Sequence, residues 1–129
     1  MKVYILPGDP IPLARARVGK RSVWDSQKQL KLVAGIALLN QHGNLPQFSN
    51  SLHLDVTFYI GFPIRMGKKA RDKKNGTYHV YKPDVSNLLK FIEDICTGVL
   101  YRDDSLIAVV TAKKIYDEIP RTEFTIREI

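Results

Sequence analysis

Lys82-Pro83-Asp84-Val85-Ser86-Asn87-Leu88-Leu89-Lys90-Phe91-Ile92-Glu93-Asp94-Ile95-Cys96-Thr97-Gly98 decides the fold class of this chain. Val85, Leu88, Leu89, Ile92, Ile95 and Cys96, continued by Val99, recur at steps of three and four. That spacing draws one apolar stripe along a helix. Ser86, Asn87, Lys90, Glu93, Asp94 and Thr97 make the polar face. Asp84 is well placed as the N-cap, and Gly98 suits the C-terminal end. Downstream, residues 106–116 and 123–129 read as two strands, and the segment 117–121, with Pro120, as the turn between them.

Upstream, residues 52–62 alternate. Leu52, Leu54, Val56, Phe58 and Ile60 point one way, and His53, Asp55, Thr57 and Tyr59 the other, as in a half-buried strand. A first helix is expected from a cap at Asp25 or Ser26 to about Asn40, on the spacing of Leu30, Val33, Ala34, Ala37 and Leu38, with Gly43 and Asn44 ending it. Residues 2–6 read as a short strand. Pro7, Pro10 and Pro12 then forbid helix. Residues 65–74 hold six basic side chains against one Asp and read as a mobile basic loop. Residues 78–82 are expected to be extended, because a residue before proline avoids the helical region. The expectation is one α+β domain over residues 1–129. Its order is β-α-β-(basic loop)-α-β-β, a mixed sheet with two helices packed on it.

Charge is divided unevenly along the chain. Residues 1–82 carry 14 Lys+Arg against 4 Asp, a net +10; residues 83–129 carry 6 against 9, a net −3; together they give the +7 of the whole. A basic body with one acidic region suits a polyanionic partner, since each neutralised phosphate releases counterions. The basic residues Arg15, Arg17, Lys68, Lys69, Arg71, Lys73 and Lys74 are the candidates for phosphate contact. The single Cys96 lies in the helical stripe and reads as a buried thiol in a reducing cytoplasm. No apolar run approaches the ~20 residues a membrane helix needs, and Met1 to Leu6 reaches Pro7-Gly8 too early for a signal peptide.

Familiar catalytic machines are missing. Gly19-Lys20 lacks the upstream glycine of a phosphate-binding loop. His42, His53 and His79 have no zinc-ligand spacing. What remains is Asp84, followed later by Asp103-Asp104. Each has a plain structural explanation, a helix cap for Asp84 and a turn for Asp103-Asp104. Placed together in a basic protein, they also suit Mg²⁺, which binds carboxylate oxygens while keeping several waters. Such an ion polarises a phosphodiester and activates water. Lys90 lies one turn beyond Ser86 on the same face, where an ammonium can steady phosphate charge. A helix over 85–97 is ~20 Å long. For Asp104 to approach Asp84, the segment 99–104, at most ~20 Å when extended, has to run back antiparallel to it.

These residues resemble the signature of RusA-type Holliday junction resolvases. In that family it reads Lys-Pro-Asp-x-Asp-Asn-Leu-x-Lys, then an Asp-Ala-Leu-like helix end, then Asp-Asp-x-x-Ile before a strand. Gly8-Asp9-Pro10-Ile11-Pro12, Arg15-x-Arg17 and Trp24-Asp25-Ser26-Gln27-Lys28 are similar to the family's opening, so the likeness runs over nearly the whole chain. It implies a cytoplasmic homodimer, often of phage or prophage origin, acting in DNA recombination and repair. It also implies Mg²⁺-dependent nicking of four-way junctions, with Mn²⁺ able to substitute. By position it implies Asp84 and Asp104 as the essential carboxylates, Lys90 as the motif lysine and Asp103 as secondary. One position departs: Ser86 stands where the family has the second Asp. A neutral hydroxyl is a weak metal ligand. Either Ser86 acts through a water, or Asp94 or Asp103 compensates, or the protein binds branched DNA while cutting poorly. An RNA-binding domain ranks below both, because the expected strands carry no aromatic cluster at the usual spacing.

Overall fold

The structure is a computed structural model and describes residues 1–14, 17–19 and 23–129. The alternation read in the sequence becomes the central strand β4, Leu52–Ile60, with Leu52, Leu54, Val56 and Phe58 buried. It pairs antiparallel with β6, Arg121–Glu128, and parallel with β5, Ile107–Tyr116. β1, Tyr4–Pro7, adds antiparallel to β6, giving the sheet order β1-β6-β4-β5. A parallel neighbour needs a crossover. Here it contains α2, Lys68–Lys74, and α3, Val85–Cys96. The mixed α+β sheet of the sequence reading is therefore what forms.

α3 is the amphipathic helix expected. Leu88, Phe91, Ile92, Ile95 and Cys96 are buried and join Leu54, Val56, Phe58, Phe124 and Ile126 of the sheet in one core. Gly98 follows at φ +81°, a conformation glycine adopts without a steric penalty. The other long helix, α1, spans Lys28–His42 and ends at Gly43, φ +67°. Its packing face matches the expected one only in part. Leu38 is buried and Ala34 packs on the core as expected, but Gly35 and His42 are also buried, and Leu30 and Val33 are about half exposed. The helix is apolar on most of its circumference, so periodicity alone does not say which stripe faces inward. Leu30 and Val33 instead rim an apolar cavity of about 310 Å³ that reaches Phe58 and Phe91 beneath Pro7–Ile11.

Three smaller differences bear on the site. The basic loop is a helix, α2, making three α-helices among the described residues where two were expected; Lys, Ala and Arg are good helix formers. It buries no residue, but Arg71 lies 6.0 Å from the Phe62 ring centroid and Lys74 5.6 Å from that of Tyr116. A short antiparallel pair, β2 (Arg17–Val18) with β3 (Val23–Trp24), precedes α1. Asp25 accepts from the Gln27 N–H at 2.8 Å, one residue ahead of the helix it was expected to cap.

Candidate active site

α3 begins just after a bend over residues 81–83, so the extension expected over 78–82 is replaced by that bend at its C-terminal end. Asp84 has N-cap backbone geometry, φ −68° and ψ 142°, and its carbonyl accepts from Asn87 and Leu88. Its side chain caps nothing. Both carboxylate oxygens instead receive the Lys82 ammonium, at 3.0 and 3.1 Å. The helix-cap reading thus holds for the backbone and fails for the carboxylate, which stays at the surface beside a cation.

The chain does turn back after α3. Gly98 N–H donates to Tyr101 O at 2.7 Å, and the buried Tyr101 hydroxyl donates to Glu93 O at 3.1 Å. A 3-10 turn over Asp104–Leu106 then packs on α3. Asp103 precedes it and accepts from Ser105 N–H at 3.0 Å, and bonding to Ser105 holds its carboxyl below the usual range. Asp104 is exposed on this turn. Burial pushes the Glu93 carboxyl up, the nearby Asp104 pushes it further, and Lys90 opposes both. Ser86, Lys90, Glu93 and Thr97 follow at steps of four, three and four, so they share one face of α3. Asp84 stands at the head of α3, and Asp104 near Glu93, toward the other end of the helix.

Other candidates fall elsewhere. Asp94 pairs with Lys31 of α1 at 2.8 Å, and Lys31 also binds Asp25, so this carboxylate ties the two helices together. His79 is only 8% exposed, with Nδ1 unpaired, and its ring packs edge-on to Tyr81 and Tyr116 rather than facing outward to a phosphate. Lys68, Lys69 and Lys73 point into solvent from α2, while Arg71 and Lys74 are half buried on their aromatic partners. Leu13 N–H donates to Asn87 O at 3.0 Å and ties the N-terminal loop to the first turn of α3. Of the two arginines that follow, Arg15 lies outside the described residues and Arg17 enters through its β2 backbone. Glu93 and Lys82 went unassigned in the sequence reading. Their sign was present in the helical spacing and in the i, i+2 proximity to Asp84, but not their contacts.

Among the described residues, no three or more His, Cys, Asp or Glu side chains converge as a metal cage. Mg²⁺ does not require such a cage, since it is commonly held by only one or two carboxylates, completed by water and substrate phosphate. Asp84 and Asp104, exposed and free of any helix-capping bond, fit that requirement. Among the described residues no helix is long and apolar enough to cross a membrane.

The chain is similar to known proteins over most of its length. The uncharacterized protein YqaN of Bacillus subtilis (strain 168) is 30% identical over 135 residues, covering 98% of this chain and 95% of YqaN. A protein of Lactococcus phage r1t named crossover junction endodeoxyribonuclease rusA is 37% identical over 79 residues, covering 60% of this chain and 55% of the phage protein. Residues 7–127 match the family described as Endodeoxyribonuclease RusA, so the chain belongs to the RusA family of DNA endonucleases.

Proposed function

We propose that this protein nicks four-way DNA junctions in a Mg²⁺-dependent reaction, with Asp84 and Asp104 as the metal-holding carboxylates. One observation supports this most. Asp84 sits at the head of α3 without a capping bond, while the chain brings Asp104 back onto the same helix. When bound, the ion supplies Lewis acidity toward the phosphodiester and lowers the pKa of a bound water. The chain's own residues do the rest. Lys82 and Lys90 offer ammonium groups to the phosphate on either side of Ser86. Lys68, Lys69 and Lys73 on α2, with Arg71, Lys74, Arg15 and Arg17, bind the backbone of the DNA arms. Mn²⁺ is expected to substitute for Mg²⁺, as another hard oxygen-seeking ion.

Ser86 favours a second reading, a junction-binding protein that cuts slowly. Asp94 is paired with Lys31 and Asp103 accepts from Ser105, whereas Glu93 lies within the charge influence of Asp104, which supports Glu93 as a further carboxylate beside Asp94 and Asp103. Cleavage of a four-way junction with and without Mg²⁺, against a duplex control, separates the two readings.

We also propose a homodimer formed through α1. From Leu32 to Gln41 the helix carries no charged residue, and Leu32, Val33, Ile36 and Leu39 are each about half exposed. A helix apolar on most sides is normally covered on most sides. A two-fold interface sets the same patch against itself, and an uncharged patch does so without bringing like charges together. A dimer acting on recombination intermediates in the cytoplasm agrees with the buried, reduced Cys96.

A further inference from the structure

We propose that Lys114, on β5, is the positioning residue for the turn that presents Lys82 and Asp84. The inference rests on the reading of Asp84 as a reacting carboxylate. Residues 76–79 lie along the outer edge of β5 as a short extension of the sheet. Gly76 N–H donates to Tyr116 O at 2.9 Å, Tyr116 N–H to Thr77 O at 2.9 Å, and His79 N–H to Lys114 O at 3.0 Å. This ladder stops at His79, five residues before Asp84. Beyond it the Lys114 side chain takes over: its ammonium donates to Tyr81 O at 2.6 Å and to Pro83 O at 2.8 Å.

Those two carbonyls bracket Lys82. The second belongs to the peptide unit that carries the Asp84 nitrogen. A peptide is planar, so fixing its carbonyl fixes the direction in which the chain enters Asp84 and α3. Pro83 has no N–H, so this turn holds few main-chain donors of its own. A lysine, with three donors on a long stem, can reach two diverging carbonyls at once. Lys114 shares its strand face with Ala112 and Tyr116, and Ala112 packs on the core. Its stem therefore has a rigid base, and the turn is referenced to the sheet from 31 residues away.

The test compares Lys114→Met with Lys113→Met, an exposed neighbour on the opposite strand face with the same loss of charge. Four quantities are read: thermal unfolding, junction binding in EDTA, single-turnover cleavage across a Mg²⁺ titration, and Mn²⁺ binding to the DNA-free protein by electron paramagnetic resonance. Because small displacements of reacting groups are costly, Lys114→Met is expected to cut cleavage about 10- to 100-fold below Lys113→Met. It should also weaken Mn²⁺ binding, while junction binding matches the control. Lys114→Arg, which can still serve both carbonyls, should recover most of the activity. In an Asp84→Asn background, Lys114→Met should leave Mn²⁺ binding no weaker than Asp84→Asn alone.

If Lys114→Met cleaves and binds Mn²⁺ like Lys113→Met while Asp84→Asn is inactive, Lys114 positions nothing and the proposal is overturned, with the Asp84 reading intact. If Asp84→Asn itself cleaves normally, both are overturned. Should Lys114→Met fail to fold, Lys114→Gln decides. Being shorter, it should serve at most one carbonyl, so cleavage equal to Lys113→Met would overturn the proposal.

Discussion

The Lys82 ammonium reaches both oxygens of Asp84, at 3.0 and 3.1 Å. Lys82 is largely exposed, and Asp84 is half exposed. An exposed pair of this kind contributes about 0–1 kcal/mol to stability, so its arrangement matters more than its energy. A carboxylate drawn from its capping position toward a loosely held cation is open to exchange that partner. On DNA, the lysine can turn to a phosphate and leave the Asp84 oxygens to other ligands.

Replacing Lys68, Lys69 and Lys73 by Gln should weaken junction binding and flatten its salt dependence by about one log–log unit for each phosphate that is no longer neutralised. These three point into solvent, whereas Arg71 and Lys74 also pack on Phe62 and Tyr116. Thermal unfolding should therefore stay near wild type in the triple variant and fall when Arg71 or Lys74 is truncated. Binding measured at several salt concentrations checks this, and an unchanged slope would show α2 to be only a solvated helix.

Ser86→Asp should shift cleavage to lower Mg²⁺ concentration, because an added carboxylate tightens an oxygen-ligand site. The first turn of α3 holds no acidic residue, so a new anion there should also stabilise the helix by about 0.3–1 kcal/mol. A Mg²⁺ titration of the cleavage rate, paired with thermal unfolding, measures both. An unmoved Mg²⁺ midpoint would mean that Ser86 does not stand in for a ligand.

His79 gives the fold a specific acid sensitivity. Burial, and then nearby Lys114, hold its imidazole below the ordinary value of 6.5. The unfolded chain therefore binds the proton first as pH falls, and stability present above pH 6.5 is lost as pH drops through the depressed folded value. His79→Phe keeps an aromatic ring against Tyr116 and Tyr81 and removes the unpaired Nδ1. Its melting temperature should fall less than that of wild type between pH 7 and pH 5 (a range set by about the free His pKa). Parallel curves for the two proteins would contradict this.

Much of the architecture was legible because periodicity carries direction when a segment is apolar on one side only. β4 and α3 are such segments: Leu52, Leu54, Val56 and Phe58 of β4 and Leu88, Ile92, Ile95 and Cys96 of α3 are buried as the spacing selected, although α3 also buries Phe91, outside the expected stripe, and leaves Val85 exposed. α1 is not such a segment: apolar almost all round, it showed Leu38 but hid that Gly35 and His42 complete its packing face. α2 was missed as a helix because a short charged segment with no buried residue has no periodicity to read. Within the candidate site, Asp84 and Lys90 stood out by their place on the helix, and Asp104 through the resemblance of the Asp103-Asp104 pair. Lys114 did not, since its partners, Tyr81 and Pro83, are more than thirty residues away and are backbone carbonyls without a side-chain signature.

The exposed face of α1 offers a direct check on assembly. Ile36→Glu puts a charged carboxylate into the apolar face of both protomers and should convert a dimer to a monomer. Because Ile36 is half exposed in the single chain, the fold itself should survive. Light scattering should give twice the chain mass for wild type and the chain mass for the variant. A wild-type monomer both with and without junction DNA would refute the dimer, and a dimer untouched by Ile36→Glu would place its interface elsewhere.

The measurement closest to the central claim is single-turnover cleavage of a four-way junction by wild type, Asp84→Asn and Asp104→Asn. It is run with Mg²⁺ and with EDTA against a duplex control, beside a binding measurement on the same junction. Wild type should nick the junction only with Mg²⁺ and spare the duplex. Each variant should lose cleavage by about 10²-fold or more, as expected when a group aimed at the reacting phosphate is removed. Junction binding should be equal or tighter, because removing a carboxylate beside DNA reduces repulsion. Full Mg²⁺-dependent cleavage by either variant, or equal cutting of duplex and junction by wild type, would contradict the account.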